Sequence, residues 1–349
     1  MDSARYAIRP FVEADYEAQA RIESEFVPEL PLTADEIRRW TESHAAVPGH
    51  LTQKFVVESR LSGEVVAHGA LYQTTHSYHP QKFRVSVAVT RLHQGQGIGT
   101  ELYSRLETEA RARSALRLWV NVREDDPRSV RFLEHHEFAA EGRTWESRLD
   151  LSTADLSKFP DRTDRLRARG LRFATAATEG IERPVVRQRL HRLHVVSASD
   201  IPRLGDYTPH PFEVFAANHL DAPAVLPEAI FLAAFGSEYV GMSSLQRTAA
   251  RPDLLGVAYT GTDPRFRRLG LASELKRRAV EYARAHGYRY LVTGNDSKNA
   301  GMWAINETLG FRREITWIQG EKRFEAATQV AGPPDRTREL STAGPPGTA

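Results

Sequence analysis

The chain repeats itself, and the repeat constrains its fold more than any other feature. Gln94-Gly95-Gln96-Gly97-Ile98-Gly99 is a glycine-rich loop, and Arg267-Arg268-Leu269-Gly270-Leu271-Ala272 is another, 173 positions later. Each loop follows a strand-like run and opens a helix-like run. Glu137-Phe138 and Gly310-Phe311 form a second pair of landmarks, with the two phenylalanines at the same offset of 173. Two matched landmarks at one offset mark a duplication. A chain of 349 residues is also about the right length for two ordinary cores.

The elements between the landmarks repeat in the same order. The first unit opens with a short strand at 6–10, then helical patterns over 13–24 and 33–43. Strands follow at 54–60 and 65–73, split by a turn at Ser62-Gly63. Phe83, Val85, Val87 and Val89 alternate, as a half-buried strand requires. After the loop, Leu102, Leu106 and Ala110 form one apolar helical stripe. A strand over 116–122 comes next. Asp126-Pro127 then reads as the cap and first turn of a helix reaching about His135. A strand over 143–151 is expected to close the unit. The second unit repeats this with strands at 171–176, 229–235, 239–246 and 254–261. Its helices fall at 183–197, after the loop (Leu271, Leu275, Ala279, Tyr282) and over 297–309, around strands at 290–293 and 312–318.

This order predicts a unit over 1–151, a charged linker over 152–169, a second unit over 170–325 and a disordered tail over 326–349. The proline-rich segment 200–228 is long for a loop, and loops of that length are usually functional.

Composition excludes several classes. Lys plus Arg is 47 against 45 for Asp plus Glu, which lacks the basic excess of a dedicated nucleic-acid binder. There are no cysteines, so disulfides, thiol nucleophiles and cysteine-bound metals are out. The opening residues carry no apolar leader, and no run approaches the ~18 apolar residues of a membrane span. A cytoplasmic protein with no nucleic-acid or membrane partner is expected. His135-His136 and His191-x-x-His194 lack a third ligand, so no metal is expected.

A glycine turn at a helix start is an anion site. The glycines let backbone approach the ligand, successive N–H groups point outward, and the helix dipole adds positive potential. Neither loop has the Gly-Lys-Ser/Thr of a P-loop, and neither completes Gly-x-Gly-x-x-Gly after a first strand.

Gln/Arg-x-x-Gly-x-Gly/Ala between the fourth strand and the next helix resembles the pyrophosphate loop of the GNAT superfamily of acyl-CoA-dependent N-acyltransferases. Gln94, Gly97 and Gly99 fit it, and so do Arg267, Gly270 and Ala272. Phe138 and Gly310-Phe311 match the family's helix-to-strand corner. The chain is thus similar in layout to two-unit members of that family. The resemblance implies an α/β fold of two GNAT-like units, each a mixed, mostly antiparallel sheet flanked by helices and splayed at the fourth strand.

The resemblance also implies acetyl-CoA as donor. Val87, Ala88 and Val89, and Thr260, Gly261 and Thr262, would pair with the pantetheine arm. The loop amides over Gln94, Gly95, Gln96, Gly97, Ile98, Gly99 and Thr100 would cradle pyrophosphate. Arg267, Arg268, Leu269, Gly270, Leu271, Ala272 and Ser273 would do so in the second unit, and Arg265 could add charge. Asn121 and Asn295 stand where an Asn commonly meets the CoA arm, with Asn299 and Asn306 continuing the stripe. Helix capping is the competing role for each of these asparagines.

The implied reaction is acetyl transfer to a primary amine of a small molecule, by direct attack in a ternary complex, from one or both units. A non-catalytic acyl-CoA-binding or sensing module is the competing reading. The family often places a Tyr five residues before the corner Phe as general acid, but Leu133 and Asn306 stand there. Tyr259 and Asn306 are the catalytic candidates, with Asp253 and Glu58 as weaker bases. The second unit is expected to be the catalytic one, because its long insert could shape an acceptor pocket around Phe212, Phe215 and His219. A monomer or a homodimer is expected.

Overall fold

The computed structural model describes residues 1–325, so the predicted tail lies outside the described residues. The first half contains β1 (Tyr6–Pro10), α1 (Tyr16–Phe26), α2 (Ala34–Ala45), β2 (Thr52–Ser59), β3 (Val65–Tyr72) and β4 (Lys82–Val89). It continues with α3 (Ile98–Ala112), β5 (Arg117–Arg123), α4 (Pro127–His135) and β6 (Ala139–Asp150). The linker holds α5 (Thr163–Arg167). The second half contains β7 (Leu171–Thr175), α6 (Ala176–Glu179), α7 (Pro184–Ala198), α8 (Phe212–His219), β8 (Val225–Phe235) and β9 (Glu238–Arg247). It ends with β10 (Leu254–Thr262), α9 (Leu271–Ala285), β11 (Tyr290–Asp296), α10 (Ala300–Thr308) and β12 (Arg312–Arg323).

Local chemistry sets the helix starts that matter. Thr33 caps α2 in a reciprocal box with Glu36. Asp126 caps α4, with Pro127 in its first turn. Gly97 (φ 75°) and Gly270 (φ 88°) precede α3 and α9 in the left-handed region. Two residues earlier, Gly95 and Arg268 share a second left-handed position, at φ 76° and 60°. Glycine takes this conformation freely, whereas at Arg268 the side chain makes it costly by about 1–2 kcal/mol.

All twelve strands form one sheet in the order β1-β2-β3-β4-β5-β12-β6-β11-β10-β9-β8-β7. Pairing is antiparallel except for β4 with β5 and β10 with β11. The two middle strands are exchanged. β12, from the second half, pairs with β5 from Trp317↔Arg123 to Arg323↔Arg117. β6, from the first half, pairs with β11 from Tyr290↔Asp150 to Asp296↔Thr144. The crossovers through α4 and α10 each skip one strand position, and the other half's last strand fills it. The strand expected to close the first unit therefore lies between β12 and β11. Both halves share the β6–β12 pair, and no strand edge is left open at the centre.

One face of the sheet carries α3 and α9. Ile98, Leu102, Leu106 and Ala110 pack on Val57, Ala67, Leu71, Phe83 and Val85. Leu271, Leu275, Ala279 and Ala283 pack on Ala233, Val240, Leu245 and Leu255. The opposite face carries α1 and α2 over the first half and α7 and α8 over the second. The segment 200–228, expected as a loop, contains α8 and reaches across to the first half. Thr208 N–H donates to His76 O at 3.0 Å, and Thr75 Oγ1 meets His210 Nδ1 at 2.6 Å.

Candidate active site

β4 and β5 pair only from Lys82↔Arg117 to Arg84↔Trp119, and then diverge. This frees the β5-facing edge of Val85 to Val89. A cavity of about 1440 Å³ enters the gap. On the α3 side it reaches the glycine loop, Tyr103 and Phe132. On the α1/α2 face it opens into a wide lobe between the halves. No acceptor among the described residues takes the backbone N–H groups of Gly95 to Thr100. The loop is held from behind. Tyr6 OH donates to Gln96 Oε1 at 2.8 Å, Arg128 Nη1 to Gln94 Oε1 at 2.9 Å, and Gln94 Nε2 to Val89 O at 3.1 Å. Free amides at a helix N-terminus, backed by Arg128 and Arg131 in the lining, suit a pyrophosphate.

Of the first-half residues predicted to hold the donor, Val87, Ala88, Val89, Gln94, Gly95, Gly97, Ile98, Gly99, Thr100 and Asn121 all line this cavity. Gln96 alone does not, its side chain being turned to Tyr6.

The second-half set meets different surroundings. β10 and β11 splay in the same way after Gly256↔Val292, but none of Thr260, Gly261, Thr262 or Arg267 to Ser273 lines the cavity. Gly261 stands where Ala88 stands in the first half. A β-carbon there would lie 2.5 Å from Tyr259 Oη and 2.6 Å from Ser197 Oγ, so a tyrosine and α7 fill the channel side of the strand. Thr260 Oγ1 is bonded to Ser243 Oγ at 3.0 Å. The linker covers the loop. Arg162 Cδ is 2.7 Å from where a Gly270 β-carbon would stand, and Arg165 Nη2 donates to Leu269 O at 3.0 Å. Glu274, fully buried in the first turn of α9, accepts from Arg162 N–H, Thr163 Oγ1, Arg277 and Arg278. An internal carboxylate thus stands at this helix start, whereas Glu101 at the equivalent place in α3 is exposed. Arg267 is paired with Asp200, and Arg265 with Asp263.

The catalytic candidates read from the sequence are not at the cavity. Tyr259 Oη is 2.8 Å from Ser197 Oγ, and burial pushes its phenol up to about 12. Asn306 is fully buried, and its Nδ2 donates to Asn295 Oδ1 at 2.6 Å. Asn295 lies one position out of step with Asn121, whose counterpart at offset 173 is Gly294. That single step turns its side chain to the opposite face of the sheet. Asn299 caps α10. Glu58 is paired with Arg9, and Asp253 with Arg251. The structure therefore makes Asn295 and Asn306 a core pair. Asn306→Ala is expected to cost about 1–3 kcal/mol of unfolding free energy, read by denaturant titration, with acetyl transfer unchanged. A fall in turnover at full stability would contradict this.

The lobe supplies residues that sequence reasoning missed. Four carboxylates could be considered near it, and three are engaged elsewhere. Glu36 Oε2 accepts from Thr33, and its Oε1 accepts from Ala249 N–H. Asp126 caps α4. Glu29 is paired with Arg123. Glu23, on α1, is the fourth. Its Oε1 accepts from Gln19 Nε2 at 2.7 Å and lies 3.4 Å from His68 Nε2, with about 30% of the side chain exposed. His68 is on β3 directly opposite Ala88 of β4. Burial lowers its pKa, so the ring is neutral at pH 7, and its Nε2 stands near Glu23 without a hydrogen-bond partner among the described residues. The second half completes the lobe with His210, Val214, Asn218, His219, Gln246 and Arg247. Of the aromatic group expected in the acceptor pocket, only His219 lines it. Phe215 is buried under α8, and Phe212 packs against the same core. No group of three or more His, Asp or Glu among the described residues is placed to hold a metal.

A splayed parallel pair, a free-amide loop at a helix start and a neighbouring carboxylate make a cleft that suits a phosphate-bearing ligand. Two segments, 16–138 and 189–311, match the Acetyltransferase (GNAT) family, and together they span most of the chain. The chain belongs to that family, as a tandem member. Solved structures agree on the fold. A tandem GNAT protein from the clavulanic acid biosynthesis pathway shares 18% identity with a TM-score of 0.69, over 91% of this chain and 98% of that one. A GCN5-related N-acetyltransferase from Sphaerobacter thermophilus shares 17% identity with a TM-score of 0.65, over 91% and 96%. A glucosamine N-acetyltransferase region of a fungal multi-domain β-N-acetylglucosaminidase shares 13% with a TM-score of 0.66, over 91% and 38%. A search of curated proteins finds no match. No described helix is long and apolar enough to cross a membrane.

Proposed function

We propose that the first half binds acetyl-CoA and transfers its acetyl group to a primary amine held in the lobe between the halves. The second half, in this reading, has given up its donor site and serves as the wall of the acceptor site. The carrying observation is that one cavity joins the Gln94–Thr100 loop, the free edge of β4 and the Glu23–His68 pair. The equivalent place in the second half is filled by Tyr259, α7 and the linker.

Each element has a physical role. The loop amides and the start of α3 take the pyrophosphate, with Arg128 and Arg131 adding charge. The freed backbone of Val87 to Val89 and the Asn121 side chain hold the pantetheine amides. Acetyl-CoA supplies a thioester, which an uncharged amine can attack. Glu23 takes the proton from the incoming ammonium, directly or through one water, and Gln19, which donates to its Oε1, keeps the carboxylate oriented. The hydrophobic floor around Val87, Val120 and Leu133 keeps competing water away from the thioester. Leu133 cannot protonate the departing sulfur, so no side chain of α4 is assigned that role.

Glu23→Gln preserves shape and hydrogen bonding to Gln19 but removes the base. It is expected to lower kcat about 10²–10³-fold at pH 7, leaving the acetyl-CoA Kd within about twofold. Steady-state assays of thiol release together with calorimetry would check this. Unchanged kcat would remove Glu23 from the role.

A further inference from the structure

The charges in the acceptor lobe do not suit every amine. Lys54, on β2, faces the same side of the sheet as His68 and lines the cavity. Its Nζ donates to Gln19 Oε1 at 3.1 Å and to Thr41 Oγ1 at 2.8 Å, and lies over the Phe11 and Tyr16 rings. Two of its three N–H bonds are used. No carboxylate among the described residues comes within ion-pair distance of it; Glu23 and Glu13 act on it only from farther off. Burial pulls the amine down to about 8, the sign of a cation short of counter-charge.

One further cation in the lining, Arg39, also has no ion pair among the described residues, whereas Arg247 stands opposite Leu255 and faces α9 on the other side of the sheet. Arg123 is satisfied by Glu29 and Asp125. The histidines add no charge at pH 7. Burial holds His76 at about 3 and His210 and His219 at about 4, and it lowers His44 as well. With Glu36 engaged, the lobe offers one accessible carboxylate, Glu23, against two unpaired cations, Lys54 and Arg39. Polycationic acceptors are repelled by such a lining.

Gln19 sets the spacing. Its carboxamide bridges Glu23 and Lys54, with its nitrogen on the carboxylate and its oxygen on the ammonium. The two charged groups therefore stand apart by one amide width and two hydrogen bonds. An α-amino acid carries an ammonium for the carboxylate and a carboxylate for the ammonium, and so complements this pair in charge.

We propose that the acceptor is an α-amino-acid-type zwitterion, with its amine on Glu23 and its carboxylate on Lys54, and with Arg39 of α2 adding positive potential to the lobe. This rests on the first half being the catalytic one. The aromatic lining of Phe26, Trp40 and Tyr72 leaves room for a bulky side chain.

The test compares matched pairs: L-phenylalanine with phenethylamine, and L-tryptophan with tryptamine, with spermidine as a polycation. The full chain is assayed for kcat/KM. The carboxylate-bearing member is expected to be favoured at least tenfold in each pair. Lys54→Met is expected to shrink that ratio at least tenfold, and Arg39→Gln by a smaller factor through KM. An acetyl-CoA titration of each variant shows that it is folded. Preference for the decarboxylated amines or spermidine would overturn the proposal, as would an equal loss for both members of a pair in Lys54→Met. The binding arm needs no turnover. N-acetyl-L-phenylalanine is expected to bind the CoA-free protein at least tenfold more tightly than N-acetylphenethylamine, and equal or undetectable binding of both would overturn the proposal. Loss of the donor reading is seen separately, as failure to bind acetyl-CoA.

Discussion

Titrated with acetyl-CoA, the chain is expected to bind one molecule, and Gly97→Glu to weaken that binding at least about a hundredfold, roughly 2.7 kcal/mol. A β-carbon at Gly97 would lie 2.9 Å from Met1 N, so the new side chain must displace the N-terminal residue or turn onto the amides of Gly95 to Thr100, and in either place its charge would repel the phosphates expected there. Gly270→Glu is the matched control. Both glycines sit in the left-handed region directly before a helix, so both substitutions carry the same backbone penalty. In the second half the carboxylate would meet Arg162 and Arg165. Binding should then stay within about twofold of the unsubstituted protein. Isothermal calorimetry reads both quantities. Two molecules per chain, with Gly270→Glu removing one of them, would show a second donor site behind the linker arginines. No binding to the unsubstituted protein would leave a fold without its donor.

The exchanged strands carry the second large effect. Residues 1–151 expressed alone are expected not to form a stable monomer, because β5 loses β12 and β6 loses both of its neighbours. β6 cannot fully repair the gap. It runs antiparallel to β12, which runs antiparallel to β5, so β6 is parallel to β5 and could take the vacant place only by moving one strand position and exchanging its two antiparallel ladders for a single parallel one. An open central edge of this kind recruits other chains. The full chain, by contrast, is expected to unfold in one cooperative calorimetric transition, with van't Hoff and calorimetric enthalpies in agreement. A well-dispersed, soluble half, or two separate transitions in the full chain, would show that the halves are independent.

Much of the fold was legible locally. Alternation in residues 83–89, the stripe Leu102, Leu106, Ala110 and the Asp126-Pro127 start are short-range signals, and each stands in the structure as read. The two glycine loops were equally plain, since φ near +75° before a helix leaves few choices of residue. Asn295 shows where such reading stops. Its residue type and its neighbourhood fit a donor contact, yet a one-position offset from Asn121 moves it to the other face of the strand and onto Asn306. Glu23, His68 and Lys54 carried no motif at all. They come from α1, β3 and β2, and only sheet pairing brings them to one side of Ala88.

By itself the sequence determined the duplication, the family and the two glycine turns that start α3 and α9, because these depend on residue type at fixed spacing. The tertiary structure decided which cradle opens to a cavity. The loops are alike in backbone and both strand pairs diverge, so the sites differ in what lies in the gap: Ser197, Tyr259 and Arg162 fill it in the second half, and a cavity enters it in the first. It also decided that the two units share a sheet. The pairing of β6 and β12 joins residues about 170 positions apart, and no local propensity encodes which of two similar strands fills a given gap.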